Sequence, residues 1–530
     1  MGVVTAEIQG AVGYEVYLRS FADATGDGVG DLHGLRERLG HLAWLGVDIV
    51  WITPCHPSPL ADHGYDVADY LDVSGEYGGI EALDRVFEAA HELGMRVLLD
   101  LVPNHTSNRH PWFEASRADR DSPYRDYYIW RDPAPGGGPP NNWVSHFGGP
   151  AWTYDEHSGQ YYCHLFLPEQ PDLNWANEAV SAEFEAIIEF WLGRGADGFR
   201  IDVAHALAKH PELPDLPPAA VRGEADPDDL MTVFDRLEHV YDSNRPEVLE
   251  IYRRWREVAD AHNGLILGEV YLLESDALAP YVAARDGLHL TFWFAPLHLR
   301  ADDADGLRRA LAEGCSMAPG SVAWITSSHD SSRAATRFGG GPLGRARALA
   351  VAALQFGLPG VAFLYQGEEL GLEDVEVPPD RAQDPTATRA GAPHRSRDVA
   401  RTPMPWEPGG GLGFTSSERP WLPLGDRDSA DTVAVQRDDP DALLHRYREL
   451  TGVRHTHLMD SEVPVEWLTN EGPVIAYRRA KLVVAANIGA EALSWQPPGS
   501  ARPLWRSSPR PPAPEGTLAP GEAVWLELHN

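Results

Sequence analysis

Eight short apolar runs recur along this chain, most of them separated by longer amphipathic stretches, and that alternation limits the architecture more than any other feature. The runs read as strands at Val12–Leu18, Asp48–Thr53 and Arg96–Leu101. A fourth ends at Asp202 and a fifth at Glu269; Leu288–Trp293, Val322–Thr326 and Val361–Tyr365 follow. Helical periodicity fills several of the gaps, as in Leu35–Leu45, Ile80–Leu93 and Phe184–Leu192. Parallel strands need long crossovers, and helices supply them. The pattern therefore predicts an α/β chain with a (β/α)₈ TIM barrel.

Two stretches break the alternation. Residues 106–175 are rich in Pro, Gly, Trp and Tyr, and are too long for an ordinary loop. They predict an inserted domain after the third strand, capping the barrel mouth. Lys209–Pro246 reads as a shorter insertion after the fourth strand. After about Arg454, short strands alternate with turns: Val465–Trp467, Val474–Tyr477, Lys481–Ala486 and Ala523–Leu528. They predict a C-terminal antiparallel β domain over 455–530, sandwich-like, with the Pro-rich stretch Pro497–Pro520 as loop. The barrel then comprises 1–105 and 176–454.

Composition excludes several function classes. A chain of 530 residues exceeds one compact core. Its formal net charge of −35 disfavours nucleic acid and anionic membranes, which need basic patches. Three scattered cysteines, Cys55, Cys163 and Cys315, suit a reducing compartment and show no metal spacing. No secretory leader and no membrane-length apolar run is visible, so the expected location is cytoplasmic.

The chemistry concentrates at strand ends. In Gly198-Phe199-Arg200-Ile201-Asp202, residues two apart share a strand face, so Arg200 and Asp202 point into one site while Phe199 and Ile201 pack the other way. An adjacent guanidinium is expected to keep Asp202 ionised. Glu269 ends Leu265-Ile266-Leu267-Gly268, where burial is expected to favour its neutral form. His329-Asp330 follows the seventh strand, and Asn104-His105 the third. A barrel gathers such positions into one pocket at its C-terminal face. A carboxylate nucleophile beside a carboxylic acid is the equipment of retaining glycoside hydrolysis, with Asp330 as a third carboxylate for sugar hydroxyls.

These residues resemble the α-amylase family of glycoside hydrolases, and most of all its α-glucosidase and oligo-1,6-glucosidase branch. Asp100-Leu101-Val102-Pro103-Asn104-His105, Gly198 to Asp202, Gly268-Glu269-Val270 and Ser328-His329-Asp330 look like the family's strand-end motifs. Gln170 to Trp175 and Arg401 to Trp406 resemble signatures of that branch. The resemblance implies Asp202 as nucleophile, Glu269 as acid/base and Asp330 as transition-state stabiliser. It implies Asp62, Tyr65, His105, Phe166, Arg200, His329 and Arg397 around a terminal glucose, with Arg397 preferred to Arg401 by spacing. Ser328, Ser331-Ser332 and Pro405 depart from the usual pattern, which bears on acceptor preference. Val203 resembles the members that tolerate α-1,6 linkages.

The implied activity is exo-acting, retaining hydrolysis of short α-glucosides of maltose or isomaltose type, with no organic cofactor. The rivals are a glucosyl-transferring enzyme on the same scaffold (a transglucosidase, or a sucrose or trehalose isomerase) and an inactive amylase-like binding partner. The second rival requires lost acids, and this chain keeps all three. Few lysines make a phosphorylated disaccharide the weaker substrate. Finally, Asp23, Thr25, Asp27, Val29 and Asp31 space oxygen donors at alternate positions, with Gly26, Gly28 and Gly30 between. That spacing suits a structural Ca²⁺ or Mg²⁺ without matching an EF-hand. The similar loop of oligo-1,6-glucosidases binds a structural cation.

Overall fold

The computed structural model describes residues 8–220, 231–283, 286–458, 463–508 and 516–529. Eight parallel strands close a barrel: β1 (Val12–Val16), β2 (Ile49–Ile52), β3 (Arg96–Leu101), β4 (Gly198–Ile201), β5 (Leu265–Gly268), β6 (Leu290–Trp293), β7 (Val322–Ile325) and β8 (Val361–Tyr365). Each strand pairs with its neighbour in sequence. The Val12–Ala362 register joins β1 to β8 and removes every edge. All eight expected strands form, several shorter by a residue or two at one or both ends.

The strands are buried on both faces, so they read as continuous apolar runs. Trp51, Leu98, Leu267, Leu290, Phe292, Ile325 and Phe363 pack together inside the barrel. Phe199 and Ile201 join the outer layer, as their strand parity requires. Helices Leu32–Leu45, Ile80–Glu92, Glu178–Arg194, Val248–Ala261, Ala304–Met317 and Gly341–Phe356 cover that layer. Between β5 and β6 the described crossover contains only two single-turn helices, Ser275–Leu278 and Pro280–Ala283. Gly198 opens β4 at φ 147°, where a Cβ would overlap the backbone of Leu265. Glycine is therefore required at the start of the strand that carries Arg200.

The chain after β3 forms helix Pro111–Ala118 and a three-stranded antiparallel sheet of Trp130–Arg131, Gln160–Cys163 and Trp152–Asp155. The chain after β4 packs against it. Asn142 Nδ2 donates to Leu216 O at 2.9 Å, and Trp143 Nε1 to Pro214 O at 2.8 Å. The two insertions thus make one wall over the barrel mouth. Lys209 ties that wall down. Its ammonium meets Asp172 Oδ2 at 2.8 Å, Asn104 Oδ1 at 2.6 Å and Ala206 O at 2.6 Å.

The C-terminal segment forms a five-stranded antiparallel sheet in the order Glu466–Trp467, Val474–Arg479, Leu482–Asn487, Ala523–Leu528, Ala501–Arg506. Leu493–Ser494 and Thr517–Leu518 make a second, two-stranded sheet. The expected loop over Pro497–Pro520 is corrected in part, since Ala501–Arg506 is a strand; 509–515 lie outside the described residues. Pro503 is tolerated because the strand lies at the sheet edge and its register shifts between Pro503 and Trp505. The larger sheet leans on helix Gly341–Phe356: Tyr477 OH donates to Leu354 O, and Trp525 Nε1 to Ala353 O.

Candidate active site

Arg200 projects from β4 into the C-terminal mouth and organises the acids around it. Its Nη1 donates to Asp202 Oδ1 at 2.7 Å and to Asp100 Oδ1 at 2.9 Å, and its Nη2 faces Glu269 Oε2 at 2.9 Å. One planar fork therefore holds carboxylates from the ends of β3, β4 and β5. Trp51 packs against the guanidinium at 4.8 Å and donates its Nε1–H to Asp100 Oδ2 at 3.1 Å. Val203 follows Asp202 in a left-handed conformation, φ 44°, which is rare for a β-branched residue. That turn aims the Val203 N–H at Glu269 Oε2, 2.9 Å away.

Three carboxylates around one cation leave an excess of negative charge. Burial pushes the Asp202 carboxyl well above the usual aspartate range; Arg200 opposes the shift, and Glu269 and Asp100 reinforce it. Burial likewise raises Asp100 to about 6, against Arg200. The expectation that Arg200 alone settles the charge of Asp202 is thus corrected. The guanidinium is shared, so Asp202 and Asp100 each influence the protonation of the other.

Asp330 sits in the opposite electrostatic setting. Burial raises its carboxyl, yet His329, Arg397, Arg401 and Arg200 together hold it well below the ordinary range. Arg401 Nη2 donates to Asp330 Oδ1 at 2.5 Å, and Arg397 Nη1 reaches the same oxygen at 3.3 Å. Both arginines serve the acid, with different exposure. Arg401 is fully buried, and its Nε donates to His329 O at 2.9 Å. Arg397 faces the cavity and spans Asp330, Asp62 at 3.0 Å and Asp384 at 2.8 Å.

The remaining expected residues meet at the same end. His329 Nδ1 faces Glu15 Oε1 at 2.5 Å, and its Nε2 meets Tyr65 OH at 2.8 Å. Tyr65 stacks on His329, centroids 5.7 Å apart and planes within 6°. Tyr65 is itself buried. His105 Nε2 lies 2.9 Å from Tyr65 O and 3.0 Å from Gln170 Nε2, and its ring meets Phe166 at 5.1 Å. Phe166 does line the cavity, stacked on His146 at 4.6 Å. Glu15, Trp51, Asp100, Gln170 and Asp384 complete the surroundings; Asp100 and Gln170 stand in motifs read from the sequence, whereas Glu15, Trp51 and Asp384 were not marked there. An acid inside the apolar strand Val12–Val16 is a signal that could have marked Glu15. Asp384 carries no local signal.

Arg200, Glu269, His329, Asp330, Arg397 and Phe166 line a cavity of about 800 Å³ that runs out between the two insertions and the β5–β6 loops. Asp202 sits between the cavity-lining Arg200 and Val203 with 8% of its side chain exposed; Glu269 shows 14% and Asp330 36%. A model of the α-amylase catalytic domain matches residues 15–461. The chain belongs to the α-amylase family. It is 39% identical over 508 residues to a probable α-glucosidase of Rhizobium meliloti, covering 92% of this chain and 91% of that protein. It is 34% identical over 533 residues to an oligo-1,6-glucosidase of Heyndrickxia coagulans, covering 92% and 93%. The solved structure of an α-glucosyl transfer enzyme superimposes with a TM-score of 0.90 at 36% identity, over 98% of this chain and 99% of that one. This α-amylase-family chain is accordingly a glycoside hydrolase.

The loop from Asp23 to Asp31 lies in the β1 crossover, away from the acids. Asp23 accepts from Gly26 N at 2.6 Å and Gly28 N at 2.7 Å, and Asp27 from Val29 N at 2.9 Å. Asp31 accepts from Ala24 N and Thr25 N and caps helix Leu32–Leu45 through Gly34 N at 2.7 Å. The Thr25 hydroxyl donates to Asp23 Oδ1 at 3.1 Å. Among the described residues no three His, Cys, Asp or Glu side chains converge as metal ligands. The cysteines are free, with Cys55 and Cys163 buried. Among the described residues no helix is long and apolar enough to cross a membrane.

Proposed function

We propose that this α-amylase-family hydrolase is an exo-acting, retaining α-glucosidase that releases terminal glucose from short α-glucosides. The observation that carries the reading is the shared fork of Arg200, which holds Asp202 together with the cavity-lining Glu269. Asp202 attacks the anomeric carbon while the C–O bond to the leaving group breaks, and Glu269 gives its proton to the departing oxygen. Glu269 then takes a proton from water. That water attacks the same carbon and frees Asp202. Asp330, held ionised by its two arginines, grips sugar hydroxyls and steadies the positive charge that develops on the ring. Arg397 lines the cavity and is braced by Asp62 and Asp384, a charged cluster suited to gripping the hydroxyls of one terminal unit.

Transfer is the second reading, favoured by a specific observation. The cavity has room beyond one glucose, so an alcohol can replace water at the second step. Assay with maltose, isomaltose, sucrose, trehalose and a nitrophenyl α-glucoside, with products resolved by linkage, separates the two. Glucose as main product is expected. A dominant isomer or transfer product at high substrate would replace hydrolysis as the main activity.

Three further points belong to the proposal. The chain divides into a barrel of 1–105 and 176–454, a cap of 106–175 and a C-terminal unit of 455–530. The loop of Asp23, Thr25, Asp27, Val29 and Asp31 holds a structural Ca²⁺ or Mg²⁺, for which three carboxylates, a hydroxyl and a carbonyl are suitable donors. Each carboxylate would share oxygens with the amides it now accepts from, and the ion would take no part in the reaction. The enzyme works in the cytoplasm, in keeping with its free cysteines.

A further inference from the structure

Glu15 is the one charged residue of β1, and it is buried. Strand parity aims it inward. Val12, Tyr14 and Val16 join the outer layer of the barrel, whereas a Cβ on Gly13 would overlap Phe363, which packs in the barrel interior. Glu15 shares the face of Gly13 and so points into the barrel. A buried carboxylate is costly unless a donor meets it. His329 supplies two donors: its Nδ1 lies 2.5 Å from Glu15 Oε1, and its backbone N–H reaches the same oxygen at 3.3 Å.

The opposite edge of that imidazole faces the chemistry. His329 lines the cavity and Glu15 does not. The Nε2 of His329 is 2.8 Å from Tyr65 OH and 3.3 Å from Asp330 Oδ2. Burial raises the Asp330 carboxyl, and His329 is the strongest of the groups that oppose it. Aromatic rings surround the imidazole: Tyr17 at 5.5 Å, Tyr65 at 5.7 Å and Trp51 edge-on at 5.8 Å. Such packing fixes the plane of the ring but not its sense. A half-turn about the Cβ–Cγ bond exchanges Nδ1 with Cδ2 and Nε2 with Cε1 at almost no change in shape, and would set a C–H against Asp330. Tyr65 OH is a weak restraint on that turn, since it can serve Asp100 Oδ2 at 3.2 Å instead. The Glu15 carboxylate discriminates, because its oxygen accepts from Nδ1–H and gains little from a C–H.

We propose that Glu15 is a positioning residue for the reaction, holding His329 in the orientation that turns Nε2 toward Asp330. The inference rests on the α-glucosidase reading, in which Asp330 steadies the charge that develops on the sugar ring. It adds to that site a residue that acts through another, as a buried acid behind an imidazole does when it fixes the tautomer and the ring orientation. Glu15 has only to accept from Nδ1–H, so an amide oxygen in the same place should serve, and an apolar side chain should not.

Kinetics of Glu15→Gln, Glu15→Met and Glu15→Leu on maltose and a nitrophenyl α-glucoside test this. Glu15→Gln keeps the acceptor and is expected to hold kcat/KM within about threefold. Glu15→Met has nearly the same length and no acceptor, and kcat and kcat/KM are expected to fall together by about 10–100-fold. Glu15→Leu gives the same comparison if Glu15→Met does not fold. The loss has to pass through the imidazole, so in the His329→Ala enzyme a further Glu15→Met is expected to change kcat by less than about twofold. Equal losses in the Gln and Met variants, an unchanged kcat/KM in the Met variant, or a loss that multiplies in full with that of His329→Ala overturns the inference and leaves the glucosidase reading standing. An unsubstituted enzyme that frees no glucose from either substrate overturns that reading, and the inference with it.

Discussion

Burial, and a guanidinium that Asp202 shares with Asp100, set how Asp202 titrates. Asp202→Asn removes the nucleophile and is expected to lower kcat by about 10⁴-fold or more with the far-ultraviolet spectrum unchanged. Near-normal turnover would sink the assignment. Glu269→Gln is expected to spare substrates whose leaving groups need no proton, so nitrophenyl glucoside should lose far less activity than maltose. Equal losses would count against Glu269 as the acid. The pH dependence follows from the raised Asp202 carboxyl. A nucleophile must be ionised, so activity falls as pH drops through that raised value, and the acid limb lies above the ordinary aspartate range. Asp100→Asn removes a like charge that pushes Asp202 upward, so the limb of kcat/KM should move to lower pH. A limb that stays or moves upward contradicts this account. The identities of Asp202, Glu269, Asp330 and Arg200 were legible in the sequence because strand parity and motif spacing are local. The sharing of Arg200 was not, since it requires three strands side by side.

Strand ends and insertions supply the next level of control. Val203 carries the backbone strain that turns an amide onto Glu269, and Gly198 opens the strand where no Cβ fits. Lys209 is one of two lysines in the chain, and its side chain is only 4% exposed. Its three oxygen partners come from the β3 end, the segment after β4 and the end of the first insertion. Lys209→Met leaves the Asp172 carboxylate buried without its cation, which costs about 3–5 kcal/mol. Urea unfolding should register that loss, with KM rising as the cap loosens over the glucose site. A change under about 1 kcal/mol would mean that the tether is dispensable. The eight strands and the antiparallel tail were readable because apolar periodicity reports burial on one or both faces. The strand at Ala501–Arg506 was hidden by Pro503, because a register shift at an edge makes proline harmless only in the assembled sheet.

At the scale of the whole molecule, the barrel, the cap and the C-terminal sheet pack on one another through buried apolar side chains, several of them anchored by hydrogen bonds from large aromatic residues. Stability should therefore respond to anything that fixes the first βα loop to the barrel. If the loop at Asp23 binds a cation, EDTA should lower Tm by several degrees while leaving kcat nearly unchanged at assay temperature, and added Ca²⁺ should restore it. An unmoved Tm with EDTA and with Ca²⁺ would leave that loop as an amide-bonded turn. The sequence by itself determined the barrel, its insertions and the acids at its strand ends, because those signals depend on neighbours a few residues apart. Only the tertiary structure decided which charges share a partner, that Tyr65 is buried against His329, and that Asp384 braces Arg397. Each of those depends on side chains far apart in the chain meeting at short range, where burial and Coulomb interaction act and sequence spacing carries no information.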